Sequence, residues 1–249
     1  MPCNNTYRYE HLGGGISVCL SGAHTFGTDA FLLSDFAAPR RRERCLDLCS
    51  GCGIIPLLWL RNKENYPKLV AAADIMPQAV DQIQLGKDKS GLQDNLSAYL
   101  CDIRKPASLG HAMWDLVTCN PPYFKTGAGF ISQSAADKTA RHETMCTLDE
   151  VCKTASWLLQ FGGRFCMCHL PERLTDVLCA MREHAIEPKR IRFIQQTSTS
   201  KPWLMLVEGK RGAKPSLTIE APLIMEDGQG GRSEELQRIY SEYAPETLD

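Results

Sequence analysis

The chain has 249 residues, 43% of them hydrophobic and 23% charged, and its 28 basic and 29 acidic side chains leave a formal net charge of -1. This length and balance suit one buried core over 1–249, with no Pro/Gly/Ser-rich linker to divide it; they exclude a diffuse positive field, so any nucleic-acid site must be local. No apolar run approaches the roughly 18 residues of a membrane span, and Met1-Pro2-Cys3-Asn4-Asn5-Thr6 lacks the regions of a signal peptide, so a cytoplasmic monomer is expected, its 12 cysteines reduced and used as small apolar residues.

In chain order, residues near 7 to 20 read as short strands around Gly13-Gly14-Gly15, and residues near 28 to 37 as a helix capped by Thr28 or Asp29. Arg40, Arg41, Arg42 and Arg44 precede the first core strand and belong to a solvated loop on the rim opposite any site. Strand 45 to 49 then runs into Asp47-Leu48-Cys49-Ser50-Gly51-Cys52-Gly53, a glycine turn leading to a helix near 54 to 62. Such a turn lets backbone approach a ligand closely, though it also serves nicotinamide cofactors and plain strand-to-helix packing. Strand 69 to 73 ends in Asp74, whose carboxylate suits the two ribose hydroxyls of an adenosine-containing cofactor.

A helix near 77 to 86 and a strand near 97 to 101 lead to Asp102 and Ile103, and strand 114 to 119 delivers Asn120-Pro121-Pro122-Tyr123. Two successive prolines remove two backbone donors and leave the carbonyls of Asn120 and Pro121 free to accept. An amide oxygen, a free carbonyl and an aromatic face suit an amine on a conjugated group, either a nucleobase or a primary amide. A long stretch follows, carrying Phe124, Lys125, Lys138, Arg141 and His142. Helices near 148 to 160 and 171 to 184 alternate with strands near 164 to 169, 190 to 195 and 203 to 208. The last two strands have no helix between them, so an antiparallel ending is expected. It carries Lys210, Arg211 and Lys214 to the far rim.

Cys45, Cys49 and Cys52, and separately Cys166, Cys168 and His169, invite a metal reading. The first group lacks a second pair at a suitable distance, and in the second His169 points away from the two cysteines on a strand. Core packing is the expectation and no metal is invoked.

The order Asp47 to Gly53, Asp74, Cys101-Asp102-Ile103, Asn120 to Tyr123 resembles the class I methyltransferases that use S-adenosylmethionine. Gly27-Thr28-Asp29-Ala30-Phe31-Leu32-Leu33 ahead of the first core strand, with Leu206 to Gly212 and Ala221 to Ile224 near the carboxyl end, is similar to the tRNA1(Val) adenine-N6 methyltransferase family. The resemblance implies an α/β fold, a doubly wound, mostly parallel, seven-stranded Rossmann-like sheet with an antiparallel last strand. It also implies that residues 1–40 form an extension closing the cofactor site. It places Thr28, Asp29, Asp47, Cys49, Gly51, Gly53, Asp74, Asp102, Ile103 and Asn120 around the cofactor, and gives catalysis to Asn120, Pro121 and Tyr123. Pro122, Tyr123, Phe124, Lys125, Lys138, Arg141 and His142 would then meet RNA. Cys49 departs from the family pattern, which usually has glycine or another small residue there.

The implied reaction is direct methyl transfer to the N6 amine of a tRNA adenine swung out onto Tyr123, with Asn120 and Pro121 accepting from the amine. Two alternatives stay open: a glutamine-N5 methyltransferase of the release-factor type, and a non-catalytic RNA-binding module.

Overall fold

A computed structural model of the chain describes residues 7–21, 25–61, 63, 66–121, 146–241 and 243. It opens on an antiparallel hairpin, β1 (Arg8–Gly13) and β2 (Ile16–Leu20), turned through Gly13, Gly14 and Gly15, all at positive φ. Gly14 has a second reason to lack a side chain: a Cβ there would lie 2.4 Å from the carbonyl oxygen of Arg61.

Helix α1 (Thr28–Ala37) comes next, and the alternation of strand and helix then builds the main sheet. Its elements are β3 (Arg44–Leu48), α2 (Ile54–Trp59), β4 (Leu69–Asp74), α3 (Pro77–Lys89), β5 (Leu96–Leu100), β6 (Trp114–Cys119), α4 (Leu148–Leu158), β7 (Leu159–His169), α5 (Leu174–Glu183), β8 (Ile186–Gln195) and β9 (Leu204–Arg211). Two-residue strands β10 (Thr218–Ile219) and β11 (Leu223–Ile224) both pair with β8, and helix α6 (Glu234–Tyr240) closes the described chain.

The sheet order is β10-β8-β9-β7-β6-β3-β4-β5. Strands β3 to β7 run parallel to one another, and β9 is antiparallel to both β7 and β8. The seven expected core strands are present with their antiparallel ending, and β10 and β11 raise the sheet to nine. Those two were not foreseen because two residues carry no period; they exist because the edge of β8 offers backbone partners.

Parallel strands need both faces covered, and the sequence meets this with continuous apolar runs such as Val70-Ala71-Ala72-Ala73. Alternate residues feed opposite layers. Val70, Ala72 and Leu116 face a core shared with the hairpin, α1, α2 and α6; Ala71, Ala73 and Val117 face one shared with α4 and α5. Among the cysteines read as core, Cys45, Cys52, Cys166 and Cys168 lie in the first layer, buried with Leu12 and Leu57. Among the described residues no three His, Cys, Asp or Glu side chains gather as a metal set, and no helix is long and apolar enough to cross a membrane.

The far rim holds the basic residues assigned to it. Arg44 donates from its backbone and its Nε to Asp115 at the start of β6, Arg211 reaches the carbonyl of Leu159, and Lys189 donates to the carbonyl of Lys214.

Candidate functional site

Parallel register lines up the carboxyl ends of four strands. Leu48 sits opposite both Ala73 and Cys119, and Asp74 opposite Leu100. The next residues, Cys49, Cys101 and Asn120, therefore leave the sheet along one edge with Asp74. Ligands of open α/β sheets bind at this edge.

The glycine turn is held by the strand beside it. Ser50 N donates to Ala73 O at 3.1 Å, Gly53 N to Ser50 O at 2.9 Å, and Gly51 N to Asp74 Oδ2 at 2.9 Å. Asp74 Oδ1 accepts from Met76 N at 2.9 Å, so this carboxylate braces both the turn and the start of its own loop. Gly53 has φ +79, and a Cβ on it would meet the Ile83 side chain at 2.8 Å; Gly51 has φ +54, and among the described residues a Cβ on it would meet nothing within 4 Å. One glycine is needed for packing. The other leaves an open cradle in front of the turn.

Cys49 also lies in the left-handed region, at φ 54. That accounts for the usual small residue or glycine there, since a side chain at such φ costs of order 1 to 3 kcal/mol. Its Sγ lies 3.8 Å from Cys146 Sγ, and the hydrogen bond with Cys119 together with burial pushes the Cys49 thiol well above its ordinary range.

Asp47 is buried under the turn. Ser50 Oγ donates to its Oδ2 and Thr118 Oγ1 to its Oδ1, each at 2.6 Å. Desolvation pushes the carboxyl up to about 7 despite those two donors, with the charge of Asp74 adding to the rise. It lies behind the cradle as its support and is 1% exposed.

Asp102 is gripped by Arg104, whose Nε reaches both carboxylate oxygens at 2.9 and 3.0 Å and whose Nη2 reaches Oδ2 at 2.8 Å. Hydrogen bonding from Arg104 holds this carboxyl below its usual range. Ile103 is buried, and its carbonyl accepts from Thr154 Oγ1 at 2.7 Å. On the same rim, Met76 and Leu100 are apolar side chains left open to solvent.

At the start of α1 the cap is Gly27, not Thr28 or Asp29: the helix spans 28–37 as expected, and Thr28 and Asp29 already belong to its first turn. Thr28 Oγ1 instead pairs with Tyr240 OH at 2.8 Å, towards α6. Asp29 turns the other way: its Oδ2 accepts from Asn120 Nδ2 at 2.9 Å, across 91 residues of chain. Cys168 Sγ donates to Asn120 Oδ1 at 3.1 Å. Pro121 is buried at the end of the described segment, while Pro122, Tyr123, Phe124, Lys125, Lys138, Arg141 and His142 lie outside the described residues.

The structure thus brings together Asp29, Asp47, Cys49, Gly51, Gly53, Asp74, Asp102, Ile103 and Asn120. It adds Ser50, Thr118, Arg104 and Cys168, which sequence reasoning missed. Thr118 had a signal, as a lone hydroxyl inside the run Leu116 to Cys119, but only the register opposite Asp47 gives it a role. Cys168 had none, since β7 and Asn120 meet only in the folded sheet.

The sequence profile described as "Methyltransferase small domain" matches residues 23–169, more than half of the chain. A tRNA1(Val) (adenine(37)-N6)-methyltransferase of Escherichia fergusonii is 28% identical over 152 residues, and the match spans 59% of each chain. One of the same name from Dickeya chrysanthemi is 27% identical over 223 residues, spanning 87% of this chain and 86% of its own. Among solved structures, a predicted O-methyltransferase, Atu636 of Agrobacterium tumefaciens, superposes with a TM-score of 0.68 at 21% identity, over 88% of this chain and all of that one. TYW2 of M. jannaschii, solved with AdoMet, superposes with a TM-score of 0.55 at 14% identity, over 84% and 88% of the two chains. These last two likenesses concern the fold alone.

Proposed function

This chain belongs to the methyltransferase small domain family and takes S-adenosylmethionine as its cofactor, and we propose that it methylates the exocyclic N6 amine of an adenine in tRNA. The observation that carries the proposal is Asn120, set at the end of β6 beside the glycine turn with its amide nitrogen engaged by Asp29. The names of the relatives support the acceptor, and by that analogy it is adenine 37 of a tRNA1(Val).

The residues present fit the cofactor. The cradle before Gly51 takes the amino-acid portion, Asp74 the ribose, and the rim of Met76, Leu100 and Asp102 an adenine with its apolar faces and polar edge. S-adenosylmethionine supplies a methyl group already bonded to positively charged sulfur, so the acceptor needs only a lone pair in line with it.

The task of the protein is to provide that lone pair. Nitrogen N6 of adenine shares its pair with the ring and is planar. Asn120 Oδ1 and the Pro121 carbonyl, accepting from the two N–H groups, favour a pyramidal amine whose pair points out of the ring. Because these bonds strengthen as the nitrogen becomes cationic, they act on the transition state. The methylated nitrogen is a strong acid and loses its proton to water. Tyr123 offers the face on which the extruded base stacks.

The test is transfer of labelled methyl from the cofactor to either total tRNA or total protein, followed by nucleoside mass spectrometry. N6-methyladenosine in tRNA is expected. Label on a protein glutamine would overturn the RNA reading, and so would RNA methylated at a position other than N6.

A further inference from the structure

Asn120 is held at both ends. Its Nδ2 donates to Asp29 Oδ2 at 2.9 Å and its Oδ1 accepts from Cys168 Sγ at 3.1 Å. A carboxylate has acceptors only, so the amide must turn its NH2 end towards Asp29 and its oxygen away from it. The two ends of an amide are alike in shape, and nothing steric forbids the flipped form. A flipped Asn120 would present donors to an amine that also brings donors.

Asp29 is itself fixed. Its Oδ1 accepts from Ala30 N at 3.0 Å, and the α1 residues that follow, Ala30 to Leu33, are buried. Gly27 leaves the carboxylate its place, since a Cβ at 27 would lie 2.7 Å from Asp29 Oδ1.

Resting on the reading of Asn120 as acceptor for the target amine, we infer that Asp29 is a positioning residue that sets the Asn120 amide with its oxygen towards that amine. Its negative charge has a second effect, through the amide. A hydrogen bond from Nδ2 to a carboxylate shifts electron density towards Oδ1, which makes the oxygen a stronger acceptor as the amine gains positive charge. This role differs from the cofactor contact that the sequence resemblance implies for Asp29. It leaves cofactor binding to the turn and Asp74.

The experiment uses the full chain as wild type, Asp29→Ala, Asp29→Asn, Gly27→Ala, Asn120→Ala and the double variant Asp29→Ala/Asn120→Ala. Single-turnover transfer is measured at saturating S-adenosylmethionine on whichever acceptor the wild type labels, tRNA or protein amide, and cofactor affinity by calorimetry. Asp29→Ala is expected to slow transfer about tenfold or more, with cofactor affinity changed less than about twofold. Asp29→Asn, which keeps an oxygen for Asn120 Nδ2, recovers part of the rate. Gly27→Ala, which displaces the carboxylate without removing it, slows transfer as well. In the Asn120→Ala background the loss from Asp29→Ala shrinks to about twofold or less, because the two act through one bond. Additive losses, or a loss confined to cofactor affinity, would overturn the inference.

A second readout needs no turnover. In 15N-labelled protein the Asn120 side-chain NH2 signal, assigned by its disappearance in Asn120→Ala, is expected to shift and to exchange faster with solvent in Asp29→Ala. An unmoved signal would reject the positioning role whatever the acceptor proves to be. Labelling of protein in place of tRNA would reject only the RNA reading.

Discussion

Asp47 keeps a proton in the folded chain that it loses in the unfolded one across the range from about pH 4 to about pH 7. Over that range the folded state binds more protons, so the contribution of this group to stability is full at low pH and declines as pH rises through 7. From pH 5.5 to 8.5 the decline is about 2 kcal/mol, or roughly 4 to 8 °C in Tm for a chain of this size. Asp47→Asn should remove that part of the slope, and a melting series across those pH values compares the two proteins; equal slopes would mean an ordinary carboxyl.

Two further predictions belong to single residues. Asp74→Ala is expected to weaken S-adenosylmethionine binding about ten- to a hundred-fold by calorimetry, because the carboxylate braces Gly51 and, in the proposed binding mode, takes the ribose. Asn120→Ala is expected to lower kcat about a hundred-fold while cofactor affinity changes little. At this scale Asp74 and Asn120 were legible because each ends an apolar run with a polar group, and Asp47 because it interrupts one just before the glycine turn. Their partners were not: Ser50 lies within the visible turn, but Thr118, Cys168 and the Asp29 contact depend on which strands and helices become neighbours.

Strand β6 carries the site at one end and an anchor at the other. Trp114 is buried at its start, 1% exposed, and its indole nitrogen donates to Leu109 O at 2.7 Å. Trp114→Ala should destabilise the fold by about 3 to 5 kcal/mol, and Trp114→Phe by less, chiefly through the carbonyl left without a donor. Urea denaturation measures both, and the transfer rate per folded molecule is expected to hold, since the change lies at the far rim. The core strands and their helices were readable from apolar runs punctuated by Gly, Pro and Asp. Helix α6 was not. Seven residues give too little period, and its place comes from Ser233 capping Leu236 N and from Tyr240 stacked on Phe31, with centroids 4.4 Å apart.

Across the whole molecule the first and last described elements share one core. Leu12, Phe31 and Leu33 are buried together with Leu236, Ile239 and Tyr240; Arg61 donates to the carbonyls of Ile239 and Tyr240, and Arg238 pairs with Asp35. A carboxy-terminal truncation after Arg232 is therefore expected to bind a hydrophobic dye and lose its cooperative melt although every residue of the cofactor rim remains; a sharp transition at the wild-type temperature would refute this. The same closure sets a schedule in the cell. At a synthesis rate of roughly 5 to 20 residues per second, the side chain of Phe31 waits roughly 10 to 40 s for its lid to be translated. Over that interval the nascent chain lacks the ring that stacks on Phe31 in the finished fold, so a layer begun at the amino end can close only when the carboxyl end has been made.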